Sequence, residues 1–158
     1  MNRRHLLTHV GALLSLAPLA SQAITPSAAR PRLEVWKTAS CGCCHGWVKH
    51  VQAAGFKVKT HDVGDDVKSQ KRQQLGLPEA FGSCHTALVD GYVVEGHVPA
   101  REISRLLKER PQALGLTVTG MPVGSPGMDG PEYGTRRDKF AVVLVQRDGR
   151  QSVYQNYP

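Results

Sequence analysis

The chain has 158 residues, with 20 Lys and Arg against 13 Asp and Glu, and a formal net charge of +7. The basic residues are scattered, from Lys57, Lys68 and Arg72 to Arg101, Arg105 and Arg136, and aromatics make up only 6% of the chain. No basic stripe interleaved with aromatics appears, which argues against nucleic-acid binding and for solvated helix faces.

The N-terminus reads as an export signal. Arg3 and Arg4 form a basic start, Gly11 to Ala20 is an apolar run, and Ser21-Gln22-Ala23 places small residues where a signal peptidase reads. The run is shorter than the ~20 apolar residues of a spanning helix, and no second run follows. The expectation is cleavage after Ala23, a periplasmic location and no stable membrane insertion. Asn2-Arg3-Arg4-His5-Leu6-Leu7 partly fits a twin-arginine signal, so the general secretory and twin-arginine routes both stay open. About 135 residues remain, enough for one domain with its own core.

A leader rich in Pro, Ser and Ala, residues 24–32, reads as flexible, and the domain runs from 33 to 158. Leu33 to Lys37 alternates and predicts a strand. After Cys41 to Cys44, the apolar residues Trp47, Val48, Val51 and Ala54 fall at helical spacing, and Gly55 ends that helix. Phe56 to Val63 alternates again, and Asp65 to Leu75 predicts a polar helix stopped by Gly76. Thr86 to Val89 and Tyr92 to Val94 flank Asp90-Gly91, a hairpin signal. Pro99 opens a helix through Lys108. Gly115 to Tyr133, rich in Gly and Pro, predicts an ordered loop without regular structure, and a last hairpin surrounds Asp148-Gly149. The order is strand, helix, strand, helix, hairpin, helix. It predicts an α/β, thioredoxin-like core with a Gly/Pro/Met loop and a C-terminal β-hairpin.

Four cysteines in an exported chain would ordinarily form two disulfides. Here Cys41, Cys43 and Cys44 lie within four residues, at the end of the first strand and the start of the first helix. Cys84 precedes the hairpin, on the loop that faces that helix start in a thioredoxin-like order. All four sulfurs are expected to converge. A helix start favours anions, and thiolate is both the nucleophile and the metal ligand. Cys41 and Cys44 alone make a Cys-x-x-Cys redox pair, which suits a thiol-disulfide oxidoreductase. Two further thiols would scramble such a disulfide, and four thiolates suit a soft metal. Side chains of neighbours such as Cys43 and Cys44 are expected to diverge, which disfavours one tetrahedral zinc and favours several copper(I) ions bridged by thiolates. Multinuclear copper(I), a single zinc and a metal-free disulfide all remain open.

Met121 and Met128, in a Gly/Pro loop, are candidate copper(I) ligands, with packing onto the domain as the alternative. His85 is the best-placed histidine, beside Cys84. His45, His50 and His97 read as structural, with His50 pointing away from the helix start. Trp47 reads as core.

Four motifs then carry a resemblance: Cys41-Gly42-Cys43-Cys44 with Trp47 and His50; Ser83-Cys84-His85-Thr86-Ala87; Tyr92 through Ala100; and Gly120 through Met128. From Leu33 to Tyr157 the chain resembles the CopG-type family, long described as a domain of unknown function and as metal-binding. The resemblance implies a thioredoxin-like fold, a periplasmic copper-resistance role and a copper cluster held by Cys41, Cys43, Cys44 and Cys84, with His and Met contributions less defined. It leaves storage, transfer and copper redox chemistry open. A copper efflux or chaperone protein is the partner class it brings.

Overall fold

The computed structural model describes residues 32–158, so the expected export signal and nearly all of the expected flexible leader lie outside the described residues. Strand β1, Arg32–Lys37, alternates as its sequence does, with Leu33, Val35 and Lys37 turned inward. Its last inward residue is a lysine, only 2% exposed. Burial of that ammonium is tolerated because Nζ is paired with Asp62 and donates to His45 Nε2 at 2.8 Å. Helix α1, Gly42–Ala53, is capped by Cys41, whose sulfur accepts from the Cys44 N–H at 3.3 Å. Trp47, Val48 and Val51 form its buried stripe, and Gly55, at φ +95°, turns the chain out of it.

Strand β2, Lys57–Asp62, runs parallel to β1. Helix α2, Asp65–Gln74, carries Asp65 and Asp66 in its first turn and Lys71 and Arg72 in its last, in line with its dipole. A 3-10 turn at Glu79–Phe81 leads to the hairpin of β3, Thr86–Val89, and β4, Tyr92–Glu95. Its turn residues Asp90 and Gly91 both have positive φ, the requirement of a type I′ turn. Helix α3, Ala100–Glu109, follows Pro99. Strands β5, Gly115–Thr117, β6, Phe140–Val145, and β7, Gln151–Tyr157, complete a seven-stranded sheet of order β2-β1-β3-β4-β5-β6-β7.

The α/β expectation and its element order are what the chain adopts. The main core joins α1 and α3 to the sheet face of Leu33, Val35, Ala87, Val89, Val94, Leu116 and Val142. A smaller core on the opposite face joins Leu77, Val93, Leu114 and Val145.

Two expectations are corrected. Residues 115–133 are not without regular structure: Gly115–Thr117 is β5, and Pro131–Tyr133 is a 3-10 turn. Three residues are too short to show a period, and β5 exists because β4 and β6 supply its ladder bonds. Nor are the basic residues all solvated. Lys68 and Arg72, on the helix that reads as polar, are buried beneath the Cys84 loop.

Candidate metal centre

Two elements and one loop bring the cysteines together. Cys41 ends the turn after β1, Cys43 and Cys44 occupy the first turn of α1, and Cys84 lies just before β3. The four Sγ atoms all lie within 4.8 Å of one another. Cys43 Sγ is 3.5 Å from Cys41 Sγ and 3.9 Å from Cys84 Sγ. Cys41 and Cys44 are joined by a disulfide, leaving Cys43 and Cys84 as free thiols. The expected divergence of Cys43 and Cys44 is therefore not realised. The helix start points both sulfurs toward Cys84, and a four-sulfur tetrahedron around one zinc would have edges of roughly 3.8 Å. Geometry alone does not separate one ion from several.

A second donor group shares Cys84. His97 Nδ1 donates to the Pro126 carbonyl at 2.8 Å. A carbonyl only accepts, so the proton of the neutral ring sits on Nδ1 and Nε2 presents its lone pair. Cys84 Sγ lies 2.8 Å from that Nε2, and 3.5 Å from His85 Nδ1. Cys84, His85 and His97 thus form a second set of donors within 4.8 Å of one another. Both imidazoles are fully buried, and His85 Nε2 has no hydrogen-bond partner.

Burial sets the protonation states. It pushes the Cys84 thiol up to about 12, with the nearby Cys43 adding to the effect. The lowering expected at a helix start does not extend to Cys84, which faces that start from another element. Burial also holds His97 below the ordinary imidazole value, and His85 well below it, with His97 contributing. Both rings are neutral at pH 7, the form that binds metal.

The remaining candidates differ in exposure and in partners. Met121 is exposed, at 54%. Met128 is buried, and its sulfur accepts from Tyr133 Oη at 3.4 Å. Its loop nonetheless lies on the site: Pro126 holds His97, and the Gly127 backbone packs against the first turns of α1. His50 belongs to neither donor group, and its Nε2 accepts from the Ala100 N–H at 3.0 Å. Trp47 is fully buried, with Nε1 donating to the Val98 carbonyl at 2.8 Å.

Sequence reasoning passed over His97. The available signal was the hairpin register: Val89 faces Tyr92 and Thr86 faces Glu95, and two more steps bring Cys84 opposite His97.

The family model described as "Protein of unknown function, DUF411" matches residues 81–128, the span that holds Cys84, His85, His97 and both loop methionines. No curated protein matches. Two solved structures do. One, described as copper resistance protein CopG, form 2, is 47% identical, with a TM-score of 0.74, and the match covers 82% of this chain and 100% of that one. The other, form 1 of the same protein, is 46% identical, with a TM-score of 0.75 and coverage of 82% and 99%. The chain belongs to the CopG family of copper resistance proteins. Like the family resemblance, this likeness takes in most of the chain, and the cysteine cluster fits a metal-binding role. Among the described residues, no CopG-family helix of this chain is long and apolar enough to cross a membrane.

Proposed function

We propose that this protein binds copper(I) through Cys41, Cys43, Cys44 and Cys84 and serves copper resistance in the periplasm. The observation that carries the reading is the convergence of four sulfurs within 4.8 Å at a helix start. Thiolates are soft donors and select copper(I) or zinc over hard cations. The names of the solved relatives favour copper between those two. His85 and His97, sharing Cys84, add two neutral nitrogens at one end of the sulfur group. A donor set divided in this way suits more than one ion, with Cys84 as the bridge. Met121 and Met128 remain candidate ligands of a loop that covers the site, and a copper efflux or chaperone protein is the expected donor or acceptor of the metal.

The metal is cargo, and the residues present determine what loading requires. The Cys41–Cys44 disulfide must be reduced and the Cys84 proton must leave. An anaerobic copper(I) titration of reduced protein, followed by X-ray absorption, tests the reading. More than one copper per chain in a sulfur-dominated shell with short copper–copper distances is expected; a nitrogen- and oxygen-only shell would refute it.

A second reading has its own support. The Cys41–Cys44 disulfide is the spacing of a redox-active pair, and its place after the first strand is where thioredoxin-like proteins carry theirs. A thiol-disulfide oxidoreductase would show reversible two-electron exchange at this pair with no metal bound.

A further inference from the structure

We propose that the buried Arg72–Glu95 pair is a positioning device for the metal site, gripping the loop that holds Cys84 opposite α1. This rests on the reading of Cys84 as a ligand.

Glu95 ends β4 and is fully buried, yet neither oxygen is idle. Its Oε1 accepts from the Ser83 N–H at 2.7 Å and from Arg72 Nε at 3.0 Å. Its Oε2 accepts from Thr86 Oγ1 at 2.6 Å. One carboxylate thus holds the residue before Cys84 and the residue after His85. Arg72, one helical turn past Lys68 on α2, extends the grip. Its Nη2 donates to the Ser83 carbonyl at 3.2 Å, and its Nη1 to Glu79 at 2.7 Å. Lys68 Nζ donates to the Cys84 carbonyl at 3.2 Å. The segment Ser83 to Thr86 is therefore held at four backbone or side-chain groups by three charged residues. None of those three hydrogen-bonds to a sulfur.

Stability is a poor explanation for such an arrangement. A buried ion pair loses most of its Coulombic gain to desolvation, and well-packed apolar residues often replace one without loss. What the pair adds is directional geometry. A guanidinium offers five donors in a fixed plane, and here that plane spans α2, the 3-10 turn at Glu79–Phe81, β4 and the loop. The Cys84 sulfur must meet Cys43 from across the fold, and a shift of the loop by about 1 Å would take it out of ligand range, since metal sites tolerate ±0.2 Å. The neighbouring Gly96, at φ +70°, closes the same loop from the other side: a Cβ there would lie 2.5 Å from Ser83 Oγ.

The test is copper(I) affinity, measured on reduced full-length protein in competition with a chromogenic copper(I) chelator, for six variants in parallel. Glu95→Ala and Arg72→Met should weaken binding by about 10- to 100-fold, the usual effect of removing a ligand's supporting partner. They should also alter the sulfur-to-copper ultraviolet bands. Glu95→Gln, which keeps the shape and most hydrogen bonds, should restore both. Val145→Ala, in the small core on the same sheet face, should lower thermal stability and leave affinity unchanged. Unchanged affinity in Glu95→Ala and Arg72→Met, or equal loss in Val145→Ala, would overturn the proposal. If Glu95→Ala is unfolded by circular dichroism, Arg72→Lys carries the test. It keeps the charge but not the fork, so wild-type affinity in that variant would also overturn it. Cys84→Ser separates the two readings: no loss there removes the ligand assignment itself, whereas loss there with none in the pair variants removes only the positioning role.

Discussion

Gly46 on α1 and Gly127 on the Gly/Pro loop meet backbone to backbone, so closely that a Cβ added to Gly46 would lie 2.8 Å from Gly127 Cα. The contact is what lays the loop across the cysteine helix. From there Pro126 reaches His97, and His97 reaches Cys84. Gly127 also has φ +85°, and a Cβ on it would strike the Cys43 carbonyl at 2.3 Å. Gly127→Ala should therefore lift the loop and cost about 1–3 kcal/mol, the range for overpacking. Chemical denaturation measures the cost, and an unchanged midpoint would show that the loop yields freely.

Cys84→Ser should lower copper stoichiometry by roughly half or more, because Cys84 is the one residue common to both donor groups. Metal analysis after anaerobic loading reads this directly. Stoichiometry equal to wild type would take Cys84 out of the site.

Copper(I) should displace zinc from the reduced protein at equimolar concentrations, since a thiolate-dominated set favours the softer ion. Zinc that stays bound through such a competition would contradict the copper assignment.

His50 carries a pH prediction. Pro99 caps α3 with no side-chain hydrogen bond, and His50 Nε2 accepts from Ala100 instead. A protonated ring cannot accept. Burial holds the pKa of His50 below its ordinary value, with Asp129 opposing. The folded state thus binds fewer protons than the unfolded one once pH falls below about 6.5. This contribution to stability is complete above that pH and is lost on acidification through the folded-state value. His50→Gln, with an acceptor that does not titrate, should flatten the loss of stability between pH 7.5 and 5.5, by roughly the ~1 kcal/mol of a cap. An identical pH profile in wild type and variant would remove His50 from the account.

These residues also mark what was legible in the sequence. Alternation and helical spacing found β1, α1, β2, the central hairpin and α3, while α2 and the last hairpin were marked by polar composition and by their turn residues Gly76 and Asp148-Gly149. Asp90-Gly91 set the register that pairs Thr86 with Glu95. The four cysteines declared themselves by type and spacing. Strand β5 did not, since its three residues take their structure from neighbours. Lys68 and Arg72 look like any solvated basic pair on a polar helix. Their burial depends on Glu95 and the Cys84 carbonyl, which only the tertiary fold brings to them. His97 was hidden for a similar reason, its partner being a sulfur across the hairpin and a carbonyl on a distant loop.

Oxidation should switch the site off. Cys41 and Cys44 are already joined, at the spacing that closes a short loop at a helix start. In that state only Cys43 and Cys84 offer thiols, and their sulfurs stand 3.9 Å apart. Cys43 does not pair with its neighbour Cys44 without a strained vicinal bond, so further oxidation should join it to Cys84. Metal ligands must be free thiolates; protein with one disulfide should lose most of its copper uptake, and protein with two should lose its sulfur site entirely. A reductant should restore both. In an oxidising compartment, this makes either metal loading before export or a dedicated reductant a requirement. Loading before export is compatible with the twin-arginine route, which moves folded proteins, and the Arg3-Arg4 pair lies in the segment outside the described residues. The measurement is air and diamide oxidation of metal-free protein, disulfide mapping by mass spectrometry, then copper(I) titration of each species. Full copper binding by protein with both disulfides formed would mean that these thiols are not the ligands.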